Sequence, residues 1–330
     1  MTQQFDTDAI VGVLTTQPLD RVLDYRAPEG GCGVGDFVEV PFGPRHVLGV
    51  VWGPGRGDWD PAKVRQIIRV LDAPPMRPEM RSFLTRAGEY TLTPMPAMLR
   101  LATRAPGLGN PQSMRRVYRQ GTGTPTRMTD ARARVMDALD DMGGLSLTLR
   151  ELCDAAGVTS SVVKGLVKQG VVFEEDTPRD TPFPRLDPTH ASKDLTVDQA
   201  AAAAVLRAAV AGDTYGTTLL KGVTGSGKTE VYLEAVAECL ARGRQALVLL
   251  PEIALTAEFL TRVEARFGNR PAEWHSGVTM TERRRVWRMA GEAGVQLVIG
   301  ARSALYLPFQ DLGLIVVDEE HDTSYKQEDG

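Results

Sequence analysis

Gly222-Val-Thr-Gly-Ser-Gly-Lys-Thr229 is the stretch that decides the fold, because it matches the pattern G-x-x-x-x-G-K-[S/T]. It follows an apolar run, Gly216–Lys221, and it opens a helical stretch, Thr229–Arg242. Strand, glycine loop and helix in this order form the context in which the pattern binds phosphate. A chance glycine loop would lack that context, so the sequence predicts a P-loop that holds ATP or another nucleoside triphosphate.

The loop supplies a set of nucleotide-binding candidates. Its glycines let the backbone wrap closely around phosphate, and the N-terminus of the following helix favours negative charge. Lys228 is placed to reach the β- and γ-phosphates, and the hydroxyl of Thr229 is placed to ligate Mg²⁺. The other candidates line the loop itself: Gly222, Thr224, Gly225, Ser226 and Gly227.

A second segment, Leu314-Ile-Val-Val-Asp-Glu-Glu-His321, complements the loop, because an apolar strand ends there in acidic residues. Open α/β sheets bind their ligands at the carboxyl ends of strands. We therefore expect Asp318 to hold Mg²⁺ and Glu319 to orient and deprotonate the attacking water, with Lys228 completing the catalytic set. His321 is a candidate sensor of the γ-phosphate. An acidic loop that only caps a strand is the alternative.

Gln199 lies upstream of the loop, in Leu195-Thr-Val-Asp-Gln199. Its amide carries a donor and an acceptor side by side, which matches the edge of adenine. The same residue fits a capping box with Thr196 at the start of a helix. The sequence leaves both interpretations open.

The pattern of apolar residues along the chain changes at Leu195. From there, mostly apolar strands alternate with helices, and the strands are expected at Ala246–Leu250, Val295–Ile299 and Leu314–Val317. Such alternation predicts a parallel sheet that is covered on both faces. Residues 195–330 are therefore expected to form an α/β lobe around the P-loop.

The residues before this lobe are predicted to form smaller units. Short strands separated by glycine-rich turns indicate a small β-barrel-like or sandwich domain over residues 1–105. Residues 129–176 have the pattern of a winged helix, although three helices packed without any nucleic-acid role would show it too. Linkers are expected at residues 106–128 and, rich in proline, at residues 177–194.

The charge distribution leaves a nucleic-acid role open. The formal net charge of −4 argues against a uniformly basic binder, but a local basic patch matters more than the total. From Met95 to Thr129 the charged residues are all arginines, and the stretch is either a solvated linker or a phosphate-contacting face. These residues are Arg100, Arg104, Arg115, Arg116, Arg119 and Arg127.

The cysteines and the termini favour a cytoplasmic protein without a membrane partner. Cys32, Cys153 and Cys239 lie far apart, so neither a zinc site nor a disulfide framework is indicated. The first ten residues have no basic region typical of a signal peptide. No apolar stretch approaches the roughly 20 residues that are needed to cross a bilayer.

The motifs together resemble those of the superfamily 2 DNA helicases and, within them, the bacterial primosomal helicases that restart collapsed replication forks. The likeness covers nearly the whole chain and is weakest over residues 105–190. It implies a multidomain fold in which residues 195–330 are the first RecA-like lobe. The segments that carry it are Leu23-Asp-Tyr25, Pro28-Glu-Gly30, Gly35–Gly43, Gly222–Tyr232, Leu250-Pro-Glu-Ile-Ala-Leu-Thr256, Trp274-His-Ser-Gly277, Ile299-Gly-Ala-Arg-Ser-Ala-Leu305, Asp318-Glu-Glu-His321 and Ser324-Tyr-Lys-Gln327.

The resemblance implies a pocket for the 3′ end of a nascent strand. In this family an Asp-Tyr pair lines that pocket, and here the pair is Asp24 and Tyr25. A carboxylate can accept the proton of the 3′-hydroxyl, and an aromatic ring can stack on the terminal base. The family often has Phe before this Asp, whereas the chain has Leu23, so one stacking surface is expected to be lost.

The resemblance also implies contacts with single-stranded DNA. Pro251–Thr256 and Gly300–Ser303 correspond to strips that touch DNA phosphates, and Arg302 and Ser303 are the candidates in the second strip. Tyr325 and Lys326 open the family's aromatic-rich loop, which couples DNA binding to hydrolysis. His321 is the expected relay from the γ-phosphate to bound DNA.

The function implied for the complete protein is that of an ATP- and Mg²⁺-dependent 3′→5′ DNA helicase that recognises abandoned forks and helps to load the replicative helicase. The implied nucleic-acid partners are forked DNA, nascent-strand 3′ ends and single-stranded DNA. The implied protein partners are other primosome proteins, the single-stranded DNA-binding protein and the replicative helicase. Such a protein would act at the nucleoid.

The sequence departs from the family because it stops at Gly330. The second RecA-like lobe, whose arginine finger is worth about 10³–10⁵ in rate, has no counterpart in it. The family's eight-cysteine zinc module and C-terminal domain have none either. We therefore expect poor ATP turnover and keep open a non-catalytic module that binds forked DNA and recruits primosome proteins. A small P-loop kinase is a third interpretation, which the acidic strand end and the N-terminal region disfavour.

Overall fold

The computed structural model describes residues 3–57, 60–105, 107–141, 146–212, 214–223, 225–251 and 256–325. The chain divides into two units. The first is discontinuous and combines Met1–Pro111 with Thr181–Gly330, whereas the second is the intervening segment Gln112–Asp180. Within the described ranges, no helix is both long and apolar enough to cross a membrane.

The N-terminal strands form where short apolar or alternating runs are separated by glycine turns. They are β1 (Gln4–Phe5), β2 (Ile10–Thr15), β3 (Leu23–Arg26), β4 (Cys32–Gly33), β5 (Phe37–Phe42), β6 (Arg45–Pro54) and β7 (Arg69–Val70). β1 pairs with β4, and the other five strands form an antiparallel sheet in the order β3-β2-β6-β5-β7. Gly43 has a φ of 59° in the tight turn between β5 and β6, a conformation that glycine adopts without steric cost.

Two helices follow the sheet. α1 (Pro78–Thr91) begins with proline, whose fixed φ suits the first helical position, and it ends where Leu92 takes a left-handed conformation. α2 (Met95–Ala102) buries Met98, Leu99 and Ala102. Both helices bring apolar side chains to the core of the first unit.

The second unit has its own core. It contains β8 (Met114–Gln120), α3 (Asp130–Asp141), β9 (Leu147–Thr148), α4 (Leu149–Ala156), α5 (Ser160–Lys168) and β10 (Val172–Pro178). A capping box between Thr148 and Glu151 starts α4, and Gly157 ends it with a φ of 60°. The strand order is β10-β8-β9. Side chains from the three helices and from β10 form the core, including Val135, Leu139, Leu152, Val163, Leu166 and Val172.

The prediction that residues 106–128 form a linker is wrong for β8. This strand pairs with β10 along seven residues, and Val117 and Tyr118 are buried against the helices. The pairing partner lies more than 50 residues further along the chain, so the local sequence does not reveal it. Two arginines of the basic stretch also meet acids of β10: Arg116 contacts Asp176 at 3.1 Å, and Arg119 contacts Glu175 at 3.3 Å.

The remainder of the first unit is an α/β lobe, as predicted. Its elements are α6 (Val197–Ala211), α7 (Lys228–Ala241), β11 (Gln245–Leu249), α8 (Ala257–Phe267), β12 (Ala272–Trp274), α9 (Met280–Gly291), β13 (Leu297–Gly300) and β14 (Leu312–Val317). The strands form a parallel sheet in the order β12-β13-β11-β14. All five residues of β11 are buried, as expected for a strand with helices on both faces.

The predicted strand over Gly216–Lys221 is wrong for this structure, since the segment has no regular secondary structure. Its side chains are exposed: Tyr215, just before it, is 98% exposed and Leu219 is 65% exposed. A fully apolar strand needs covered faces and a paired edge. Among the described residues β14 pairs only with β11, so its other edge is open and the segment does not occupy it.

The N-terminal sheet and the α/β lobe share one core. The rings of Phe37 on β5 and Trp287 on α9 meet edge to face, with centroids 5.8 Å apart and planes at 70°. The Trp287 indole N–H donates to the carbonyl of Ala102, at 3.4 Å, and the Arg288 guanidinium donates to the carbonyl of Asp72, at 3.0 Å. These contacts join the two segments of the first unit into one folded body.

Candidate nucleotide and DNA sites

The P-loop runs directly into α7, and its glycines are required by close approaches. Gly225 and Gly227 have φ values of 79° and 80°, which side chains other than glycine rarely adopt. A Cβ on Gly227 would lie 2.5 Å from the amide nitrogen of Gln199, and a Cβ on Gly222 would lie 2.5 Å from the hydroxyl of Ser226. A side chain at Gly222 or Gly227 would therefore require its neighbour to move, whereas Gly225 is set by its backbone conformation alone. Thr224 lies outside the described residues.

Lys228 begins α7 and folds back over the loop. Its ammonium donates to the carbonyl of Gly222 at 3.0 Å and to that of Val223 at 3.3 Å. The charge is therefore held by weak neutral acceptors at the mouth of the loop. A phosphate is a stronger, charged acceptor for the same ammonium.

Gln199 braces the loop through its side-chain amide. The amide oxygen accepts from the backbone N–H of Thr196 at 2.9 Å, and the amide nitrogen donates to the carbonyl of Ser226 at 2.8 Å. Thr196 also caps α6, so the predicted capping box is present. Because both polar atoms of the amide are engaged, recognition of adenine by Gln199 would require these two hydrogen bonds to break.

Asp318 stands at the carboxyl end of β14 and is held by several contacts. Its backbone N–H donates to Leu249 at 3.0 Å. One carboxylate oxygen accepts from the backbone N–H of Glu319 and the other accepts from the hydroxyl of Tyr232, both at 2.9 Å. One predicted magnesium ligand, Asp318, is therefore held by Tyr232, which lies one turn after the other, Thr229, on α7.

Tyr232 is a neutral hydroxyl in this setting. Burial and the neighbouring carboxylate of Asp318 raise its pKa well above the usual value near 10. Thr229 and Asp318 offer hard oxygen atoms, which suit Mg²⁺, an ion that keeps several water ligands and takes one or two groups from the protein. These residues fit the predicted ion. In the described part of the chain, no group of three or more His, Cys, Asp or Glu side chains could hold a metal.

Glu319 and His321 lie at the exposed rim of the site. Glu319 adopts a left-handed conformation with a φ of 48°, and its side chain is 42% exposed. One nitrogen of His321 lies 3.5 Å from Glu319 and the other lies 3.3 Å from Glu320. The carboxylate of Glu319 is therefore accessible to water, as a group that activates water must be.

A groove of about 1000 Å³ joins these residues. It is bounded by residues 214–222, α6, α7 and β14, and Lys228, Asp318, Glu319 and His321 line it. Concave sites for cofactors have volumes of about 300–1,000 Å³. The groove is therefore large enough for a nucleoside triphosphate.

The predicted DNA strip connects to the nucleotide site. The Arg302 guanidinium donates to the carbonyl of Tyr325 at 2.7 Å, and the Tyr325 hydroxyl donates to the carbonyl of Asp318 at 2.9 Å. Ser303 accepts from the indole N–H of Trp274 at 3.2 Å. A chain of contacts thus runs from an exposed arginine to the strand end that carries Asp318. Lys326 and most of the strip Pro251–Thr256 lie outside the described residues.

The predicted 3′-end pocket is only partly assembled. Both carboxylate oxygens of Asp24 accept backbone N–H groups, from Arg56 and from Gly57, at 2.9 Å each. Tyr25 is 5% exposed and lies in the core of the sheet, where its hydroxyl donates to Pro41 at 3.1 Å. Adjacent side chains on a strand point to opposite faces, so Asp24 and Tyr25 lie on opposite sides of β3. Because the ring of Tyr25 is covered, the expectation that it stacks on a terminal base is wrong for this structure.

Sequence reasoning did not single out Tyr232, although a signal was present. Residues three apart on a helix lie on one face, so Tyr232 follows Thr229 toward the same side of α7. Arg283 was also missed; its guanidinium lies over the ring of Trp274, 4.9 Å from the centroid, beside the predicted DNA strip. Its partner lies on β12, a strand that the sequence analysis did not predict.

Residues 12–104 match the 3′DNA-binding domain of PriA, and residues 197–330 match the DEAD/DEAH box helicase domain. The replication restart protein PriA of Bacillus subtilis is 29% identical to the chain and aligns with 98% of it. The chain belongs to the PriA family. PriA of Haemophilus influenzae is 31% identical over 97% of the chain, and PriA of Rickettsia conorii is 50% identical over 42% of the chain.

The chain corresponds to part of a PriA protein. It spans 49% of the B. subtilis PriA, 45% of the H. influenzae PriA and 20% of the R. conorii PriA. The two domain matches confirm the predicted combination of a 3′-end-binding domain with a helicase lobe built on a parallel sheet. They also support the use of a nucleotide with Mg²⁺ and the binding of DNA by this family.

Proposed function

We propose that this PriA chain is the fork-recognising and nucleotide-binding part of a replication-restart helicase. When complete, the protein would unwind DNA 3′→5′ with ATP and help to load the replicative helicase. The observation that carries the proposal is that Lys228 and Asp318 line one groove, and that the strand end with Asp318 also connects to Arg302 through Tyr325.

Each residue of the proposed nucleotide site has a separate role in ATP hydrolysis. Lys228 would exchange its two backbone carbonyls for the β- and γ-phosphates. Thr229 and Asp318 would hold Mg²⁺, which supplies positive charge against the phosphates. Glu319 would accept the proton of the attacking water, since its carboxylate is exposed to solvent.

Tyr325 offers a route by which DNA would affect hydrolysis. A phosphate bound by Arg302 would compete with the carbonyl of Tyr325 for the guanidinium. Any movement of Tyr325 would act on the carbonyl of Asp318, which its hydroxyl holds. His321, close to Glu319, is the second candidate for this coupling.

The finer architecture of the DNA-binding parts belongs to the same proposal. We propose that the five-stranded sheet with β1 and β4 is a small β-barrel-like domain whose Asp24 meets the 3′ end. The second unit would be a winged helix, with α5 as the helix that faces duplex DNA and the paired strands β8 and β10 as its wing. Lys164 and Lys168 are exposed on α5 and lie one turn apart.

Binding and hydrolysis assays with forked DNA test the proposal. The chain is expected to bind forks and Mg²⁺-nucleotide, and a full-length form is expected to lose DNA-stimulated hydrolysis when Lys228 is changed to Ala. Hydrolysis that survives this substitution would refute the helicase assignment. Strong steady-state turnover by the 330-residue chain would instead refute the non-catalytic module, which would recruit primosome proteins and the single-stranded DNA-binding protein without hydrolysis.

A further inference from the structure

We infer that Tyr232 is a positioning residue that sets the geometry of Asp318, one of the two proposed magnesium ligands, through its hydroxyl. The inference rests on the proposed nucleotide site and adds a residue to it. Tyr232 lies on α7, one turn after Thr229, and is 5% exposed. Its hydroxyl lies 2.9 Å from the carboxylate of Asp318.

The direction of this bond follows from the available protons. A phenol has one proton to donate, and an ionised carboxylate can only accept. The Tyr232 hydroxyl therefore donates to Asp318.

The same hydroxyl fixes Asp318. A carboxylate has about four lone-pair sites. Tyr232 and the backbone N–H of Glu319 occupy one site on each oxygen. The remaining sites are available to the ion or to its water ligands. Because two donors hold the carboxylate at both oxygens, its plane is set before an ion binds.

The packing around the ring of Tyr232 fixes the position of its hydroxyl. The ring belongs to a core cluster that includes Leu233, Val236 and Leu250, while its hydroxyl reaches the groove. A buried ring has few alternative rotamers, so the hydroxyl returns to the same place. A tyrosine that served packing alone would not need its hydroxyl against the carboxylate of Asp318.

The test compares Tyr232→Phe with the unchanged 330-residue chain in binding a fluorescent ADP analogue, titrated with MgCl₂ and repeated in EDTA. Loss of a hydrogen bond to a charged group predicts that the Mg²⁺ concentration for half-maximal tightening rises about five- to tenfold. Affinity in EDTA should change by less than about twofold, because the phosphate contacts of the loop stay intact. The matched control is Tyr118→Phe, which removes another hydroxyl–carboxylate bond, to Glu174, from the second unit; it should leave both affinities unchanged.

Asp318→Asn and the double variant with Tyr232→Phe extend the test. If Tyr232 acts through Asp318, the double variant should need little more Mg²⁺ than Asp318→Asn alone. An unchanged Mg²⁺ requirement in Tyr232→Phe, or an equal loss of affinity with and without Mg²⁺, would overturn the inference while the nucleotide site stood. Failure of the unchanged chain to bind the analogue in either buffer would instead refute the proposed nucleotide site.

Discussion

The nucleotide site and the 3′-end pocket assemble their residues in opposite ways. Tyr232 and Asp318 are far apart in sequence, yet their side chains meet because α7 and the end of β14 lie together. Asp24 and Tyr25 are neighbours in sequence, yet they separate because alternate residues of β3 face opposite sides. Distance along the chain is therefore a poor guide to which side chains share a site, whereas the geometry of the element is a good one.

Removal of the P-loop lysine should have the largest effect, and it should act on nucleotide binding. Lys228→Ala is expected to weaken Mg²⁺-nucleotide binding by about 10²-fold or more, since loss of a charged partner of buried phosphate costs roughly 2–5 kcal/mol. Titration of the fluorescent analogue measures the loss. Lys164→Ala, a lysine in the second unit, is the matched control and should bind nucleotide normally. Retained affinity in Lys228→Ala would mean that the groove does not receive phosphate.

Asp24 should have the next largest effect, on DNA rather than on nucleotide. A fork with a free 3′-hydroxyl on its leading arm is expected to bind about tenfold more tightly than one with a blocked end, and Asp24→Ala should erase the difference. Fluorescence anisotropy with the two forks measures it. Tyr25→Phe separates the two neighbours: its ring is buried, so discrimination should persist. If the unchanged chain bound both forks equally, the assignment of Asp24 would fail.

Arg302→Gln should weaken single-stranded DNA binding by a moderate, sequence-independent amount. Loss of one phosphate contact predicts a salt dependence of log K that is shallower by about one unit. Binding measured across a series of salt concentrations gives the slope. Arg242→Gln removes an exposed arginine that is paired with Glu238, and it should leave the slope as it is. An unchanged slope in Arg302→Gln would exclude a phosphate contact at this position.

The smallest effect is expected at Arg116. Its guanidinium already faces Asp176 and Glu174, so a DNA phosphate would have to displace these acids. Arg116→Gln should change fork affinity by less than about twofold, whereas Lys164→Gln on α5 should weaken it more. Anisotropy with one forked duplex measures both variants. A larger loss for Arg116→Gln would assign the DNA surface to β8 instead of α5.

The sequence predicted the parts of the molecule that local rules control. The P-loop, the capping box at Thr196 and the buried strand β11 follow from spacing and composition within a few residues. β8 was missed because its pairing partner and the acids that face its arginines lie on β10, far along the chain. Gly216–Lys221 was predicted as a strand from its apolar composition. That composition does not reveal whether the segment pairs with the sheet.

The candidate site shows the same limit. Sequence motifs named Lys228, Thr229 and Asp318, and in the structure Lys228 and Asp318 line one groove. No motif states that the amide of Gln199 is occupied at both atoms, or that the ring of Tyr25 is covered. These properties depend on neighbours that only the folded chain provides.

The core that Phe37 shares with Trp287 has a consequence for biosynthesis. The first unit is interrupted by the whole of the second, so the N-terminal sheet leaves the ribosome long before α9 exists. The second unit has its own core and needs nothing from the first to bury it. During translation, the apolar surface around Phe37 therefore stays uncovered until α9 has been made, and exposed surface of this kind makes a nascent chain prone to aggregation.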